Sequence, residues 1–329
     1  MIPPFHERLE IAGFDEVHRL RWPWGSAFVA LHAVLAGHTF GGIRLRAYAR
    51  EEDALTDALA LAQAMSRKVT LAGIVGGGAK AVLMEPPPGK RVAALEALGD
   101  LIESLDGRYH AGPDYGFTLA DDAAVRRRTR FLAAAEGLAE ATAEGVRRAM
   151  FAATTPAVVA VQGLGAVGLA LARQLRERGV RVIAADTRAG ATAGFEEVAP
   201  AAVFDVPCNV FAPCAVGGVL DAQTIARLRC RVVCGAANNP LASADGDTTL
   251  KARGIVLVPD FLANAGAVVV GASRELGETH LIAARMDALG ERVSAVLERA
   301  AREDRTPQEV AVELADAQIA RLRRDRQVG

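Results

Sequence analysis

The chain has 329 residues, a formal net charge of −1 and 51% hydrophobic residues, enough material for two packed domains. The near-neutral charge excludes a nucleic-acid binder, since the one basic run, Arg126-Arg127-Arg128 with Arg130, follows Asp121-Asp122 and reads as a solvated helix face. No apolar stretch reaches the roughly 18 residues of a membrane span, and Met1-Ile2-Pro3-Pro4 lacks a basic-then-apolar signal pattern, so a soluble cytoplasmic protein is expected.

Residues 27–31 read as a strand, and 43–48 alternate as a half-buried one would. From 51 to about 67 apolar residues recur at helical spacing (Leu55, Ala58, Leu59, Leu61, Ala62, Met65), behind Glu51, Glu52 and Asp53 in the first turn, where the helix dipole favours them. A strand at 70–75 is expected to run into a loop of three glycines, Gly76-Gly77-Gly78, with extended structure resuming at 81–84. Pro86-Pro87-Pro88 forces a loop, and a helix follows from about 92 to 105.

The second half has another rhythm. Short apolar runs at 158–161, 180–184, 210–211, 232–234 and 255–258 alternate with helical or loop segments, the pattern of a buried parallel sheet. From about 280 to 324 come two charged amphipathic helices, broken near Arg305-Thr306-Pro307. The cysteines Cys208, Cys214, Cys230 and Cys234 form no C-x-x-C pair and have no histidine cluster beside them, so buried reduced thiols are expected. No carboxylate–histidine spacing resembles a metal site, and no metal is expected.

The strongest local pattern is the run 158–161 followed by Gln162-Gly163-Leu164-Gly165-Ala166-Val167-Gly168. A G-x-G-x-x-G alone is weak. Here it follows a strand, opens a helix at about 169–178, and precedes a second strand ending at Asp186, at the interval of roughly 20 residues that a dinucleotide site requires. Gly163 permits the tight turn, Gly165 admits the pyrophosphate, and Gly168 lets helix and strand pack closely. Ala166 and Val167 open the helix whose free N–H groups face the phosphates. Asp186 suits the adenosine ribose hydroxyls and repels the extra phosphate of NADP, so NAD is the expected cofactor, although Arg188 close by weakens that choice.

Two lysines stand out, Lys68 after Met65-Ser66-Arg67 and Lys80 after the glycines. A lone lysine is ordinarily a solvated surface group. Three glycines in succession cost conformational entropy and suggest a backbone that something approaches closely. A lysine there can be desolvated and set beside another cation, and both effects lower its pKa toward the range of a general base.

At these residues the chain resembles the leucine, phenylalanine and valine dehydrogenases within the wider glutamate dehydrogenase superfamily. The resemblance runs collinearly through Gly41-Gly42 with Arg44, Met65-x-x-Lys68, the glycine run with Lys80, and Gly107-Arg108-Tyr109 leading to Asp114. It continues through Thr142-Ala143-x-Gly145-Val146, Phe211-Ala212-Pro213-Cys214-Ala215-x-Gly217-Gly218, Gly235-Ala236-Ala237-Asn238-Asn239 and Pro259-Asp260-Phe261-x-x-Asn264-Ala265-Gly266. It implies that Lys68 holds the substrate carboxylate and that Lys80 is the general base. Asp114 would relay protons while the carbinolamine forms and breaks down. Gly41, Gly42, Met65, Phe40, Gly112 and Asn264 would line the substrate site, and Thr142 and Asn238 would join the cofactor residues.

The resemblance further implies α/β architecture in two domains with a cleft between them: an N-terminal substrate domain over 1–133 and a doubly wound Rossmann-type NAD domain over 134–304. The C-terminal helix, about 305–329, would pack back on the first domain. The implied activity is reversible oxidative deamination of an L-amino acid to its 2-oxo acid and ammonia, by a homo-oligomer. Gly112-Pro113-Asp114 resembles the phenylalanine-type members and Gly271 would enlarge the pocket, whereas Phe40 would narrow it; an aromatic or large aliphatic side chain is expected. The segment after Asp114 is shorter than usual and Ala267 replaces a customary glycine, which leaves a second reading open, an NAD-binding relative with a scaffold role and no turnover.

Overall fold

A computed structural model describes residues 3–328. They divide into two compact units. The first holds the described residues up to Ala135, Gly271–Glu278 and those from Ala315 onward; the second holds Glu136–Val270 and Thr279–Leu314. No helix among the described residues is long and apolar enough to cross a membrane.

The first unit is built on a mixed six-stranded sheet of β1 (Phe5–Arg8), β2 (Glu16–Trp22), β3 (Gly25–Leu31), β4 (Thr39–Arg46), β5 (Gly77–Met84) and β6 (Tyr109–Pro113), in the order β1-β2-β3-β5-β4-β6. Strands β1, β2, β3 and β5 are antiparallel neighbours, while β4 runs parallel to both β5 and β6. Helix α1 (Glu51–Leu71) is the crossover between β4 and β5, as a parallel pair requires. Its face is made small by Ala54, Ala58 and Ala62, fully buried against Val17, Phe28, Ala30 and Val82. The other sheet face (Val29, Leu31, Ile43, Leu45, Ala81, Leu83) packs on Leu95, Leu98 and Ile102 of α2 (Arg91–Ser104) and on Val125 of α3 (Leu119–Arg126). Both faces of β3 and β5 are covered, which is why their sequences carry no polar alternation.

Two expectations for this region fail. No strand forms at 70–75: α1 continues through Val69, Thr70 and Leu71, all buried on its face, and Gly73 at φ +73° follows. The glycines are not a loop either, for Gly77 and Gly78 are the first residues of β5. A Cβ on Gly77 would lie 1.5 Å from Ala33 O, and one on Gly78 would lie 2.0 Å from Ser66 N, so the helix and the chain before β4 press directly on the strand. The basic run is exposed as expected, but paired. Arg126 bonds Asp122 on its own helix, while Arg127 and Arg128 bond Glu96 and Asp100 of α2.

The second unit carries β7 (Val158–Gln162), β8 (Arg181–Ala185), β9 (Glu196–Glu197), β10 (Val210–Pro213), β11 (Val232–Val233) and β12 (Val256–Leu257), all parallel, in the order β12-β11-β10-β7-β8-β9. Counted within this unit the order is 3-2-1-4-5-6 read from β9, the doubly wound nucleotide-binding topology, whose strand order reverses between β7 and β10. The helices from here on are α4 (Leu138–Ala153), α5 (Ala166–Glu177), α6 (Ala222–Arg227), α7 (Gly246–Ala252), α8 (Asp260–Ala263), α9 (Gly266–Glu275), α10 (Ile282–Glu303) and α11 (Pro307–Val328). The break between the last two has a clear cause. Asp304 turns left-handed at φ +52°, and Thr306 and Glu309 form a reciprocal capping pair at the start of α11. Within the first unit, Asp316 of α11 forms a two-pronged ion pair with Arg67, and Ile319 packs on Ala33 and Leu35. All four cysteines are unbridged, but only Cys234 is buried; the other three are half-buried at strand ends and loops, contrary to the expectation of four buried thiols.

Candidate active site

Strand alternation puts Gly42 and Arg44 of β4, and Lys80 of β5, on the sheet face that α1 covers, opposite the face shared by Ile43, Leu45, Ala79 and Ala81. Lys80 is 4% exposed, and its Nζ lies 2.6 Å from Oδ2 of Asp114, the residue that follows β6. The glycine pair makes this possible. A Cβ on Gly42 would stand 2.7 Å from Asp114 Cβ and 3.1 Å from Lys80 Nζ, and one on Gly41 would overlap Ala79 O at 1.7 Å.

Three further groups complete the cluster. Arg44 Nε donates to Asp114 Oδ2 at 3.0 Å, and its Nη1 donates to Asp57 of α1 at 3.2 Å. The Tyr48 hydroxyl donates to the same Asp57 at 2.5 Å. Burial pushes the Lys80 ammonium below an ordinary lysine and Arg44 adds to that, against the opposing pull of Asp114. Burial alone would raise the Asp114 carboxyl, but Lys80 and Arg44 outweigh it and hold it below the ordinary range. Asp57 and Tyr48 are absent from the residues singled out by sequence. For Arg44 the sequence does carry a signal, its two-residue spacing from Gly42, which fixes a shared face.

Met65 and Lys68 sit one turn apart near the end of α1, both half-buried. Between them Ser66 turns into the sheet, accepting the Gly78 N–H at 2.8 Å and bonding His32 Nδ1 at 2.9 Å, so this turn is fixed to the strand that carries Lys80. A Cβ on Gly112 would meet nothing nearer than Gly41 O at 3.9 Å, which leaves room two residues before Asp114. Phe40 lies deeper, 6% exposed, stacked on His110 with ring centroids 5.3 Å apart. A Cβ on Gly76 would touch the Phe40 ring at 2.7 Å.

In the second unit the glycine motif has the geometry a nucleotide needs. Gly163 is left-handed at φ +91°. Gly165, just before α5, has nothing within 4 Å of a built Cβ, so its backbone faces open space at the helix N-terminus with Ala166 and Val167. A Cβ on Gly168 would lie 1.9 Å from Gly163 O, which fixes α5 against the turn. Asp186 accepts the Leu164 N–H at 2.7 Å and is gripped by Arg188 through Nε and Nη2 at 3.0 Å each. Chiefly through Arg188, its carboxyl is held far below the ordinary range. Asn264 is 4% exposed; its amide donates to Ala236 O at 3.1 Å and to Asn238 Oδ1 at 2.9 Å, and its own Oδ1 has no partner. A buried acceptor left unpaired costs about 1–3 kcal/mol, so it suits a ligand that brings a donor. Thr142 lies on α4, where its hydroxyl donates to Leu138 O and its Cα would be 3.2 Å from a Cβ on Gly266, two residues beyond Asn264.

An open glycine turn on a doubly wound sheet, with an orphaned buried amide oxygen in the same unit, fits a bound dinucleotide. The desolvated lysine–carboxylate pair of the other unit is in keeping with the class of nucleotide-dependent dehydrogenases. The profile of the Glutamate/Leucine/Phenylalanine/Valine dehydrogenase family matches residues 186–303, and that of the Glu/Leu/Phe/Val dehydrogenase dimerisation domain matches 21–129. The leucine dehydrogenase of Thermoactinomyces intermedius is 34% identical over 324 residues, 91% of this chain and 88% of that protein. The phenylalanine dehydrogenase of Caldalkalibacillus thermarum is 34% identical over 274 residues, 74% of this chain and 73% of that protein. The crystal structure of L-tryptophan dehydrogenase from Nostoc punctiforme superposes with a TM-score of 0.83 at 30% identity, covering 94% of this chain and 97% of that one. The chain belongs to the Glu/Leu/Phe/Val dehydrogenase family. It is an NAD(P)-dependent amino acid dehydrogenase, an oxidoreductase that acts on a CH–NH2 group and releases ammonia.

Proposed function

We propose that the protein catalyses the reversible conversion of an apolar or aromatic L-amino acid, NAD and water to the 2-oxo acid, ammonium, NADH and a proton. The observation that carries the assignment of roles is the buried Lys80 Nζ held 2.6 Å from Asp114 Oδ2. In this reading Lys68 binds the substrate carboxylate. Lys80, kept below an ordinary lysine by burial, takes a proton from the substrate ammonium and later one from the water that attacks the imine. Asp114 accepts hydrogen bonds from the nitrogen-bearing intermediates and passes protons to and from Lys80. Bound nicotinamide supplies the acceptor for the Cα hydride. The unpaired Asn264 Oδ1 accepts a hydrogen bond from the ligand, and Gly163, Gly165, Ala166, Val167, Gly168 and Asp186 hold the dinucleotide, with Thr142 and Asn238 in support. A relative with only a scaffold role would have no use for a desolvated lysine beside a carboxylate.

NAD over NADP is favoured because Asp186 is ionised where the adenosine ribose is expected to bind. A side chain without charge is favoured by the relatives, named for leucine, phenylalanine and tryptophan, and by the free space at Gly112, which suits a ring. We further read the protein as a cytoplasmic homo-oligomer, supported by four unbridged cysteines and the dimerisation-domain match. The test is NADH formation with a panel of L-amino acids at alkaline pH. Turnover of leucine, phenylalanine or tryptophan, with glutamate inert, supports the reading; glutamate as the preferred substrate, or no turnover on any, overturns it.

A further inference from the structure

The Lys80–Asp114 pair contains a difficulty that its own two groups do not resolve. A base must spend part of each cycle neutral. When Lys80 gives up its charge, Asp114, whose side chain is only 22% exposed, loses its counter-ion. A buried carboxylate left alone is costly and tends to capture the proton itself. It would then keep a proton that it should pass on.

Arg44 answers this need. Its guanidinium stays charged at every working pH, and its Nε reaches the same oxygen, Asp114 Oδ2, at 3.0 Å. The far end of the fork is anchored on Asp57, which the Tyr48 hydroxyl holds in turn at 2.5 Å. We propose that Arg44 is the positioning residue of the proton machinery: anchored by Asp57 and Tyr48, it keeps Asp114 paired with a permanent cation while Lys80 gives up and regains its proton. This rests on Lys80 being the general base.

The charges make a signed prediction. Facing Lys80 and Asp114 are Arg44 from β4, Asp57 from α1, Tyr48 beyond β4 and Tyr109 from β6; the last is fully buried, neutral, and donates to Gly42 O at 3.1 Å. Arg44 lowers the Lys80 pKa and Asp57 raises it. Removing Arg44 therefore moves the Lys80 limb of kcat/KM to higher pH, and removing the Asp57 charge moves it to lower pH.

The experiment measures kcat and KM across pH for the full-length Arg44→Gln, Arg44→Lys and Asp57→Asn variants, with L-leucine and L-phenylalanine, alongside thermal melts. For Arg44→Gln we expect kcat to fall about 30-fold or more, KM to change less than about threefold, and the limb to rise by about one pH unit. Arg44→Lys restores the limb but only part of kcat, because a point charge cannot bridge Asp114 and Asp57 as a fork does. Asp57→Asn shifts the limb the opposite way, and it serves alone if Arg44→Gln does not fold. A merely structural defect has no reason to produce opposite shifts. Unshifted limbs, or shifts of one sign in both variants, overturn the proposal while Lys80→Ala is inactive. An active Lys80→Ala protein overturns instead the reading beneath it.

Discussion

Gly42 and Asp114 are so close that one carbon atom separates them from collision: a Cβ on Gly42 would lie 2.7 Å from the Cβ of Asp114. The carboxylate therefore occupies the space that a side chain on β4 would fill. Gly42→Ala should displace Asp114 from Lys80 and lower kcat by about 100-fold, at an overpacking cost of about 1–3 kcal/mol. Steady-state kinetics paired with a melting curve checks both. Near-normal turnover would show that Asp114 works from some other position.

The two later glycines of the nucleotide turn should behave oppositely. Gly165 faces open space and Gly168 faces Gly163 O at 1.9 Å. Gly165→Ala should leave the melting temperature of the free protein unchanged and weaken NADH binding at least about tenfold, since the backbone can no longer approach a phosphate closely. Gly168→Ala should destabilise the free protein by about 1–3 kcal/mol before any ligand is added. Thermal melts and NADH fluorescence titrations on both variants separate the two roles.

His32 makes stability depend on pH. It is 7% exposed, and burial together with Arg323 and Arg67 pushes its pKa from 6.5 down to about 4. Well above pH 6.5 neither the folded nor the unfolded chain protonates it, and its contribution is fully present. As the pH falls from 6.5 toward 4, the unfolded chain binds a proton that the folded one refuses, and stability drops by about 3 kcal/mol. Urea unfolding across this window should show that slope, and His32→Gln should flatten it. An unchanged slope in the variant would assign the effect to other groups.

Arg188 occupies Asp186 from both prongs, at 3.0 Å each. On the proposed assignment the carboxylate exchanges those bonds for ribose hydroxyls, and a guanidinium beside it would suit a 2′-phosphate. Arg188→Ala should therefore lower KM for NAD and raise it for NADP, moving the ratio of kcat/KM values by about tenfold or more toward NAD. A ratio that stays put would remove Arg188 from coenzyme choice.

Much of this molecule is legible in its residues. The runs at 158–161 and 180–184 and the glycines between them lead to β7, the turn, α5 and β8, because a buried parallel strand and a helix N-terminus each impose a local pattern. Lys80 is singled out by the glycines before it and Asp114 by motif resemblance, and the sheet brings them together. The misread segment at 70–75 shows where local reasoning stops. Val69 and Thr70 are β-branched and Leu71 is apolar, a strand-like composition, and the packing of α1 on β5 decides that they finish a helix. For the same reason the glycines of β5 read as a loop: the contact that requires them lies on α1 and on the chain before β4, distant in sequence. Asp57 carries no signal at all, since an acidic residue on an amphipathic helix is ordinarily solvated, and only the fold turns it toward Arg44.

The most direct test of the account is Lys80→Ala, assayed for NADH formation from L-leucine and L-phenylalanine and, separately, for NADH binding. The account predicts that turnover disappears, a loss of at least about 1,000-fold, while NADH affinity stays within about threefold of the unmodified protein. A variant that still turns over its amino acid at a comparable rate would contradict it.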